Sequence, residues 1–462
     1  MSETKQLYEL ILGNKNLLYI DSVKDKANSV LDFHESLDII GGGGLAFLYL
    51  DNQIQSVELL LNFIRSDFTI ALLSPSLNVI HKEYLEKHYS PYYIYDATRI
   101  KIDAYSAKVL GVAHTCFVQD KAVKTVVNPS IKLLLSTSGS TGSPKFVKLS
   151  EQNIVSNALS ILDYLPVKNS DVCPLNLPLF YSYGFSVFTT NSISGGTIVC
   201  SDTTIMQKEF WEEWERYQYT SLAGVPYVYE MLQRIGFLKK EYPSLRYLSQ
   251  AGGRLNPSAL IEFGNYALKN NLSFYTMYGQ TEATARMSYL EPEYLIEKAG
   301  SIGKPIKDGK MEIDPVSGEL LYSGPNVSGG YATVKEDLLE YSPLEVLHTG
   351  DIAKKDKDGF FYITGRSQRF IKLFGTRISL DEIEQILQNN FAGTKFLCLG
   401  EDDKSLIVAY LYDDLNELEI KKILSEQVKL HPTTIKVKKI NELPLSQNGK
   451  IDYKEVKEMV SF

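Results

Sequence analysis

The chain has 462 residues, which at roughly 100–200 residues per domain leaves room for two to four domains. Hydrophobic residues make up 44% of the sequence, so a sizeable core can form and global disorder is excluded. The 48 basic and 56 acidic side chains give a net charge of −8, which argues against a general nucleic-acid binder but leaves room for a local basic phosphate pocket.

The four cysteines are Cys116, Cys173, Cys200 and Cys398, and none forms a Cys-x-x-Cys pair. Their spacing excludes a zinc ribbon and a disulfide framework, so we expect free, buried thiols. The first residues, MSETKQLYEL, lack a basic start followed by an apolar stretch, and no apolar run approaches the roughly 18 residues of a membrane span. We therefore expect a soluble, cytoplasmic protein without a membrane or nucleic-acid partner.

Apolar runs alternate with helical periodicity through most of the chain. Residues 45–50 predict a buried strand, residues 53–65 a helix, and residues 69–73 a second strand. This order is typical of a parallel α/β layer. Further along, residues 153–164 predict a helix with Ser150 as its N-cap.

The composition changes near position 365. The remaining segment predicts strands at 370–374, 395–399, 405–411 and 434–440, and helices at 380–387 and 417–427. We therefore predict a large α/β domain with layered sheets and helices over residues 1–366. A small α+β domain is predicted over residues 367–462.

The strongest local motif is STSGSTGSPK, at residues 136–145. Its glycines and hydroxyls can turn backbone amides and O–H donors towards a phosphate, and Lys145 adds charge. The spacing does not fit a Walker loop, and extended segments at 132–135 and 146–149 indicate a loop between two strands. A flexible Ser/Gly hairpin loop remains an equal alternative.

Three weaker motifs follow. Glu282 in YGQTE, beside a hydroxyl, is suited to Mg²⁺, which takes few protein ligands. Asp351 in HTGD, with Arg366 nearby, is suited to hydrogen bonds with a ribose diol or a phosphate. The Asn-Gly turn before Lys450 presents that lysine at a loop tip. Taken alone, the Asp351 and Arg366 segments are explained equally well by turn chemistry, YGQTE is better explained as a turn leading into a helix, and Lys450 as a solvated surface lysine.

Their order is more specific than any one of them. The sequence resembles the acyl-adenylate-forming superfamily, which includes acyl-CoA synthetases, adenylation domains of peptide synthetases, and luciferases. The resemblance rests on STSGSTGSPK, YGQTEAT, HTGD, GRSQRFIKLFGTRISLDEIE and LPLSQNGK, which occur in the family's order between positions 136 and 450. Before residue 130 the chain is short for the family and shares only its strand–helix rhythm.

The resemblance implies two half-reactions, with ATP and Mg²⁺ as cofactors. A carboxylate first attacks the α-phosphate of ATP and releases pyrophosphate; the acyl group then passes to a pantetheine thiol of CoA or of a carrier protein. The implied catalytic residues are Lys450, which bridges the carboxylate and the α-phosphate, Thr281, which contacts that phosphate, and Glu282, the metal ligand. The implied ATP and AMP contacts are Thr137, Ser138, Gly139, Ser140, Thr141, Gly142, Lys145, Ala251, Gly252, Gly253, Tyr278, Gly279, Asp351 and Arg366.

The resemblance also implies which part of the nucleotide each of these residues contacts. The 138–145 loop handles the departing pyrophosphate, and the ring of Tyr278 stacks on adenine with residues 251–253 on its other face. Asp351 and Arg366 hold the ribose. The small domain is expected to be mobile and to pivot at Gln368, where the family usually has Asp or Lys. Gly375 is expected to line the thiol tunnel, because a missing side chain leaves room for pantetheine.

The acid pocket is predicted from Phe180, Tyr181, Tyr183 and Tyr227, with Ala251 beside them. Core packing is the competing explanation for the tyrosines. Amino-acid-activating relatives carry an Asp where this chain has Ser182, which by resemblance argues against an ordinary α-amino acid.

Three functions remain open. The first is an ATP-dependent acid–thiol ligase acting on a small carboxylic acid, with CoA or a separate acyl or peptidyl carrier protein as acceptor. The second is an amino-acid-activating enzyme that loads a stand-alone carrier protein. The third is a nucleotide-binding regulatory or scaffold protein without catalysis, against which the presence of both Lys450 and Glu282 argues.

Overall fold

The structure, a computed structural model, describes residues 6–39, 42–111, 114–120, 125–137, 145–366, 369–373, 376–391, 393–401, 404–411, 415–428, 430–446 and 450–460. The chain forms two compact units. The first comprises Met1–Lys310 and Tyr322–Leu347, and the second Met311–Leu321 and His348–Phe462. We predicted a boundary after residue 366, beyond which the small domain moves as a body. That boundary stays a prediction.

Helices occur in both units. In chain order they are α1 (Gln6–Leu12), α2 (Val30–Phe33), α3 (Ile54–Arg65), α4 (Val79–Tyr89), α5 (Glu151–Tyr164), α6 (Ser182–Ser194), α7 (Lys208–Tyr217), α8 (Pro226–Arg234), α9 (Pro257–Lys269), α10 (Leu380–Asn390), α11 (Glu417–Gln427) and α12 (Tyr453–Val460). Ser150 caps α5 as predicted: its hydroxyl accepts the N–H of Asn153, whose side chain accepts the N–H of Ser150.

The strands are, in chain order, β1 (Leu18–Asp21), β2 (Lys26–Ser29), β3 (Gly44–Tyr49), β4 (Phe68–Leu73), β5 (Tyr93–Asp96), β6 (Tyr105–Leu110), β7 (His114–Gln119), β8 (Leu133–Thr137), β9 (Lys145–Leu149), β10 (Val172–Pro174), β11 (Thr197–Cys200), β12 (Ser221–Gly224), β13 (Tyr247–Gln250), β14 (Ser273–Tyr278), β15 (Ser288–Leu290), β16 (Lys304–Pro305), β17 (Lys310–Ile313), β18 (Glu319–Ser323), β19 (Tyr331–Ala332), β20 (Leu347–Lys355), β21 (Phe361–Arg366), β22 (Phe370–Leu373), β23 (Thr376–Ser379), β24 (Phe396–Glu401), β25 (Ser405–Leu411) and β26 (Ile435–Ile440).

The largest sheet of the first unit has the order β19-β9-β8-β4-β3-β5-β7-β6. Its centre is parallel, with β3 between β4 and β5, and both of its faces are covered. On β3, Leu45, Phe47 and Tyr49 belong to one apolar cluster, whereas Ala46 and Leu48 belong to another. Burial on both faces explains why these strands are continuous apolar runs. The predicted strand–helix–strand order is confirmed.

Two further sheets complete the first unit, with orders β10-β11-β1-β2 and β12-β13-β14-β15-β16. In the second of these, β12, β13 and β14 are parallel neighbours, so their carboxyl ends lie at one edge. Ligands of open α/β sheets bind at such edges, and two of the predicted motifs begin there, after Gln250 and at Tyr278.

The second unit contains the sheet β17-β18-β20-β21, the hairpin β22-β23 and the sheet β24-β25-β26, of which β25 and β26 are parallel. Helices α10 and α11 contribute buried apolar residues to the same core as β24 and β25, including Ile383, Leu387, Ile420 and Leu424. The predicted fold class, a large α/β part and a smaller C-terminal part, is confirmed.

The four cysteines are buried and form no disulfide, as expected. Within the described part of the chain, no helix combines the length and the apolar character needed to cross a bilayer.

Candidate active site

The predicted phosphate loop lies between two paired strands. Strands β8 and β9 form an antiparallel ladder from Leu133↔Leu149 to Thr137↔Lys145, as the extended flanks predicted. Residues 138–144, which include Ser138, Gly139, Ser140, Thr141 and Gly142, lie outside the described residues, as does the side chain of Thr137. In the chain these residues come directly after the carboxyl end of β8, which runs parallel to β4.

Tyr331 connects the two phosphate-related motifs. The Nζ atom of Lys145 lies 3.5 Å from the centre of the Tyr331 ring. The Tyr331 hydroxyl donates a 2.7 Å hydrogen bond to Oε1 of Glu282, the predicted magnesium ligand. Burial and the neighbouring Glu282 carboxylate raise the pKa of Tyr331, so the phenol keeps the proton that it donates. The predicted lysine and the predicted metal ligand therefore share one tyrosine.

Sequence reasoning missed Tyr331. It reaches this position because the short strand β19 pairs with β9, with Tyr331 opposite Val147. The chain has 30 tyrosines, and nothing in the neighbouring sequence distinguishes this one.

A single carboxylate at this place fits a magnesium ion. Tyr331 engages Oε1 of Glu282, and Mg²⁺ is ordinarily held by one or two carboxylates with substrate phosphates and water completing its shell. Among the described residues, no group of three or more His, Cys, Asp or Glu side chains is placed to hold a metal ion by itself.

The YGQTE segment is a tightly wound loop after β14. The Gln280 carbonyl accepts the N–H groups of Ala283 and Ala285 at 3.0 and 3.1 Å. A Cβ at Gly279 would collide with the Ala285 carbonyl, so this position requires glycine. The backbone angle φ of Ala285 is 88°, a strained value that residues other than glycine rarely adopt. The winding fixes the backbone that carries Thr281.

Thr281 also contacts the segment that forms the predicted acid pocket. Its hydroxyl lies 3.1 Å from the Ser182 hydroxyl, at the start of α6. Ser182 stands where amino-acid-activating relatives are expected to have Asp, and here it is buried against a hydroxyl. The tertiary structure thus joins the predicted α-phosphate contact to the acid-pocket helix.

The predicted adenine-binding glycines follow β13. Gly252 has a φ of 81°, and a Cβ there would collide with Oη of Tyr181. The Gln250 side chain donates a 2.8 Å hydrogen bond to the Gly253 carbonyl and closes the turn. Because β13 and β14 are adjacent and parallel, Ala251–Gly253 and Tyr278 leave the sheet at the same edge.

The proposed pocket residues only partly come together. Tyr181, Tyr183 and Ala251 are buried in one apolar cluster, with Tyr227 half-buried against it. Phe180 packs instead against the main core of the first unit. The Tyr183 hydroxyl donates to the Ser249 carbonyl at 3.0 Å, so its role in core packing is established, and a role in binding stays a prediction.

In the second unit, Asp351 and Arg366 lie opposite each other on β20 and β21. The Arg366 Nε donates to the Asp351 carboxylate at 3.2 Å, and Asp351 is only 3% exposed. The exposed guanidinium and the buried carboxylate are thus in contact, and their role in holding the ribose stays a prediction.

Lys450 is joined to Ser446 by two hydrogen bonds. Its N–H donates to the Ser446 hydroxyl at 3.3 Å, and its carbonyl accepts the Ser446 N–H at 2.7 Å. The Lys450 side chain is exposed, which fits the predicted presentation of its ammonium group. Gln368 and Gly375 lie outside the described residues.

Arg369, next to the predicted pivot, is a second residue that sequence reasoning missed. Its guanidinium contacts Asp381, lies 2.7 Å from Glu384, and donates to the Tyr453 hydroxyl at 2.8 Å. It is thereby fixed to α10 and α12, so the residue following Gln368 is rigidly attached to the C-terminal unit.

Comparison with known proteins gives consistent matches. Residues 47–332 match the family described as AMP-binding enzyme. The chain is 28% identical to oxalate–CoA ligase of Arabidopsis thaliana over 375 residues, which cover 77% of this chain and 72% of that protein. It is 27% identical to 2-succinylbenzoate–CoA ligase of Bacillus mycoides over 344 residues, 71% and 70% of the two chains.

Solved structures with the same fold include O-succinylbenzoate coenzyme A synthetase from Bacillus subtilis in complex with AMP. The TM-score is 0.77 at 19% identity, and the match covers 99% of this chain and 98% of the other. The same synthetase in complex with ATP and magnesium ion matches with a TM-score of 0.72 at 19% identity, over 96% and 98% of the two chains.

Proposed function

This chain belongs to the AMP-binding enzyme family, and we propose that it activates a small carboxylic acid as an acyl-adenylate and transfers the acyl group to CoA. It is an AMP-forming acid–thiol ligase. It uses ATP with Mg²⁺, and CoA as the thiol cosubstrate. We further propose which residues carry out the reaction and what kind of acid is the substrate.

One observation carries the assignment of residues. Lys145, at the end of the 138–145 loop, and Glu282, in YGQTE, meet at the side chain of Tyr331. A lysine and a carboxylate placed around one tyrosine suit a nucleotide polyphosphate with its metal, because the cation attracts phosphate and the carboxylate holds Mg²⁺. A turn that served only the fold would need neither group.

The first half-reaction joins an oxygen of the acid carboxylate to the α-phosphorus and breaks the bond from that phosphorus to the pyrophosphate oxygen. Such a transfer needs positioned charge more than covalent help. Lys450 neutralises charge on the carboxylate and α-phosphate oxygens. Thr281, oriented by the Ser182 hydroxyl, donates to the α-phosphate, and Glu282 holds the metal.

The nucleotide is bound by the remaining predicted residues. The 137–142 segment and Lys145 bind the departing pyrophosphate. Tyr278, Gly279 and residues 251–253 enclose the adenine, and Asp351 with Arg366 binds the ribose. In the second half-reaction the CoA thiol attacks the acyl carbon, AMP leaves, and Gly375 lines the path of the pantetheine arm.

CoA is the proposed acceptor because the curated relatives are named CoA ligases. Ser182 offers no carboxylate for an ammonium group, so the acid is proposed not to be an ordinary α-amino acid. Loading of a carrier protein has no comparable support.

The test is ATP–pyrophosphate exchange with Mg²⁺ across fatty, aryl, hydroxy, dicarboxylic and amino acids, followed by thioester formation with CoA or with a phosphopantetheinylated carrier protein. We expect exchange with one class of acid and thioester with CoA. Exchange with no acid would contradict the adenylation proposal, and a thioester on the carrier protein alone would contradict CoA as acceptor.

A further inference from the structure

Arg286 is a buried cation in the first unit. Its side chain is 1% exposed, and it follows the strained Thr284–Ala285 turn at the end of the YGQTEAT motif. Its carbonyl accepts hydrogen bonds from the side-chain amides of Asn157 at 2.7 Å and Asn326 at 3.2 Å. The backbone at this residue is thus fixed from two sides.

The partners of the guanidinium are neutral. Its Nε donates to the Ser186 hydroxyl at 3.2 Å, and one terminal nitrogen lies 3.5 Å from the Met277 sulfur. The Tyr164 hydroxyl donates to the same sulfur at 3.1 Å. The guanidinium also lies over the Tyr183 ring, 5.0 Å from its centre. None of these contacts among the described residues is to a carboxylate.

This arrangement is costly for a cation. An arginine carries five N–H donors and a permanent charge, and its burial without an anionic partner is strongly unfavourable. Two half-buried arginines of the first unit do have anions: Arg246 pairs with Asp171, and Arg99 pairs with Glu86 and Asp96. Arg286 differs from both because, among the described residues, its side-chain contacts are to a ring face, a hydroxyl and a thioether.

The surroundings of Arg286 are those of the predicted acid pocket. Tyr183 and Ser186 lie on α6, which begins at Ser182, and Met277 belongs to the same apolar cluster as Tyr181 and Ala251. A cavity of about 10 Å³, room for one water molecule, is lined by Arg286, Ser249 and Asn191. The buried Oδ1 of Asn191 has no hydrogen-bond partner there. The guanidinium therefore borders a small cavity with both polar and apolar walls, and it lies next to Tyr183 and Met277 of the predicted pocket cluster.

We propose that Arg286 determines substrate specificity by pairing with a second carboxylate of the acid, so that the substrate is a dicarboxylic acid. This inference rests on the proposed function, since it concerns the acid that is adenylated. Met277 is the flexible neighbour whose sulfur yields its place, and a carboxylate then receives parallel N–H bonds from the guanidinium. The substrate thereby supplies an anion that the described residues do not place at this guanidinium. Both acids in the names of the matched relatives, oxalate and 2-succinylbenzoate, carry two carboxylates.

The experiment compares matched acids on the unaltered protein. Pyrophosphate exchange is measured with aliphatic and aryl dicarboxylic acids, each beside its monoamide or monomethyl ester, in which the second carboxyl is neutral. We expect kcat/KM for the best dicarboxylic acid to exceed that of its neutral partner by roughly 100-fold or more, because a buried polar site rejects an analogue that leaves it unpaired.

Two variants assign the preference to this residue. Arg286→Met should reduce the ratio between the charged and neutral acids to within about threefold, while KM for ATP stays unchanged. Arg286→Lys should retain the preference for the charged acid, because it keeps the charge. The control Arg216→Met removes an exposed arginine of α7 and should alter neither quantity.

The outcomes separate the two proposals. Equal kcat/KM for charged and neutral acids in the unaltered protein overturns the role of Arg286 and leaves adenylation standing. A folded Arg286→Met variant that retains the 100-fold ratio also overturns it. If Arg286→Met fails to fold, the proposal is judged by the ratio of kcat/KM for the charged and neutral acids, measured in the unaltered protein and in Arg286→Lys. Exchange with no acid overturns the proposed function and this inference with it.

Discussion

The hydroxyl of Tyr331 donates a 2.7 Å hydrogen bond to Oε1 of Glu282, and the ammonium of Lys145 lies against the ring of the same tyrosine. Tyr331 thus orients the carboxylate that is proposed to hold Mg²⁺. Its phenol is held in the protonated form by burial and by that carboxylate, which raise its pKa. The arrangement gives Tyr331 a positioning role.

Substitution Tyr331→Phe removes this hydrogen bond and keeps the ring. Because a hydrogen bond to a charged group contributes about 1.5 kcal/mol, we expect the KM for Mg²⁺ in pyrophosphate exchange to rise roughly tenfold. Tyr217→Phe is the matched control, since it removes a 2.8 Å tyrosine–carboxylate bond to Asp25 elsewhere in the unit. An unchanged KM for Mg²⁺ in Tyr331→Phe would contradict the positioning role.

Gly279 should tolerate no side chain. A Cβ there would collide with the Ala285 carbonyl, which is backbone and cannot move aside without unwinding the loop. We expect Gly279→Ala to lower the free energy of unfolding by about 3 kcal/mol. Gly42→Ala, where a Cβ would meet nothing within 4 Å, should change it by less than about 0.5 kcal/mol.

Tryptophan fluorescence during urea unfolding measures both variants. The chain has two tryptophans, Trp211 and Trp214, and both lie on α7 in the first unit. The signal therefore reports the unit that contains Gly279. Equal unfolding midpoints for the two variants would show that the close approach is relieved by a small shift.

Arg369 should be essential to the C-terminal unit. Its half-buried guanidinium neutralises Asp381 and Glu384, so Arg369→Met leaves two half-buried carboxylates without their cation. We expect a loss of about 3–5 kcal/mol in local stability, seen as faster amide hydrogen exchange in β24 and β25. Lys422→Met, which removes an exposed partner 4.0 Å from Glu426, should leave that exchange unchanged. Equal exchange in both variants would refute the anchoring role.

Lys450 should be required for adenylation. Removal of one preorganised charge from a transferring phosphoryl group typically costs 100-fold or more, so Lys450→Ala should reduce pyrophosphate exchange by at least roughly 100-fold. Binding of ATP, measured by calorimetry, should change little, because the lysine acts on the α-phosphate and the acid. Lys454→Ala, an exposed lysine in the first turn of α12, is the control. Pyrophosphate exchange at the unaltered rate in Lys450→Ala would contradict the catalytic role assigned to Lys450.

Gly375 should affect only the second half-reaction. Gly375→Trp places a bulky ring where the pantetheine arm is proposed to pass, so thioester formation with CoA should stop while pyrophosphate exchange continues. Asn390→Trp adds the same ring at an exposed position at the end of α10 and should spare both steps. A joint loss of both half-reactions in Gly375→Trp would contradict the tunnel role.

The sequence by itself determined the elements that depend on contiguous residues. The helix predicted at 417–427 has those bounds in the structure, and the strands around the 138–144 loop form the predicted hairpin. Hydrophobic periodicity and cap residues lie within a few positions of each other, so one chain reveals them. The ordered motifs likewise identified the family, because each is a short continuous segment.

Only the tertiary structure decided which of these segments meet. The Tyr331–Glu282 and Ser182–Thr281 contacts join residues 49 and 99 positions apart, and Arg286 reaches Ser186 across 100 positions. Phe180 and Tyr181 are adjacent in the chain just before α6, yet they pack in different apolar clusters. Such relationships depend on which strands pair and which helix faces the sheet edge. A local sequence pattern does not predict this pairing and packing, because they depend on the free energy of the whole core.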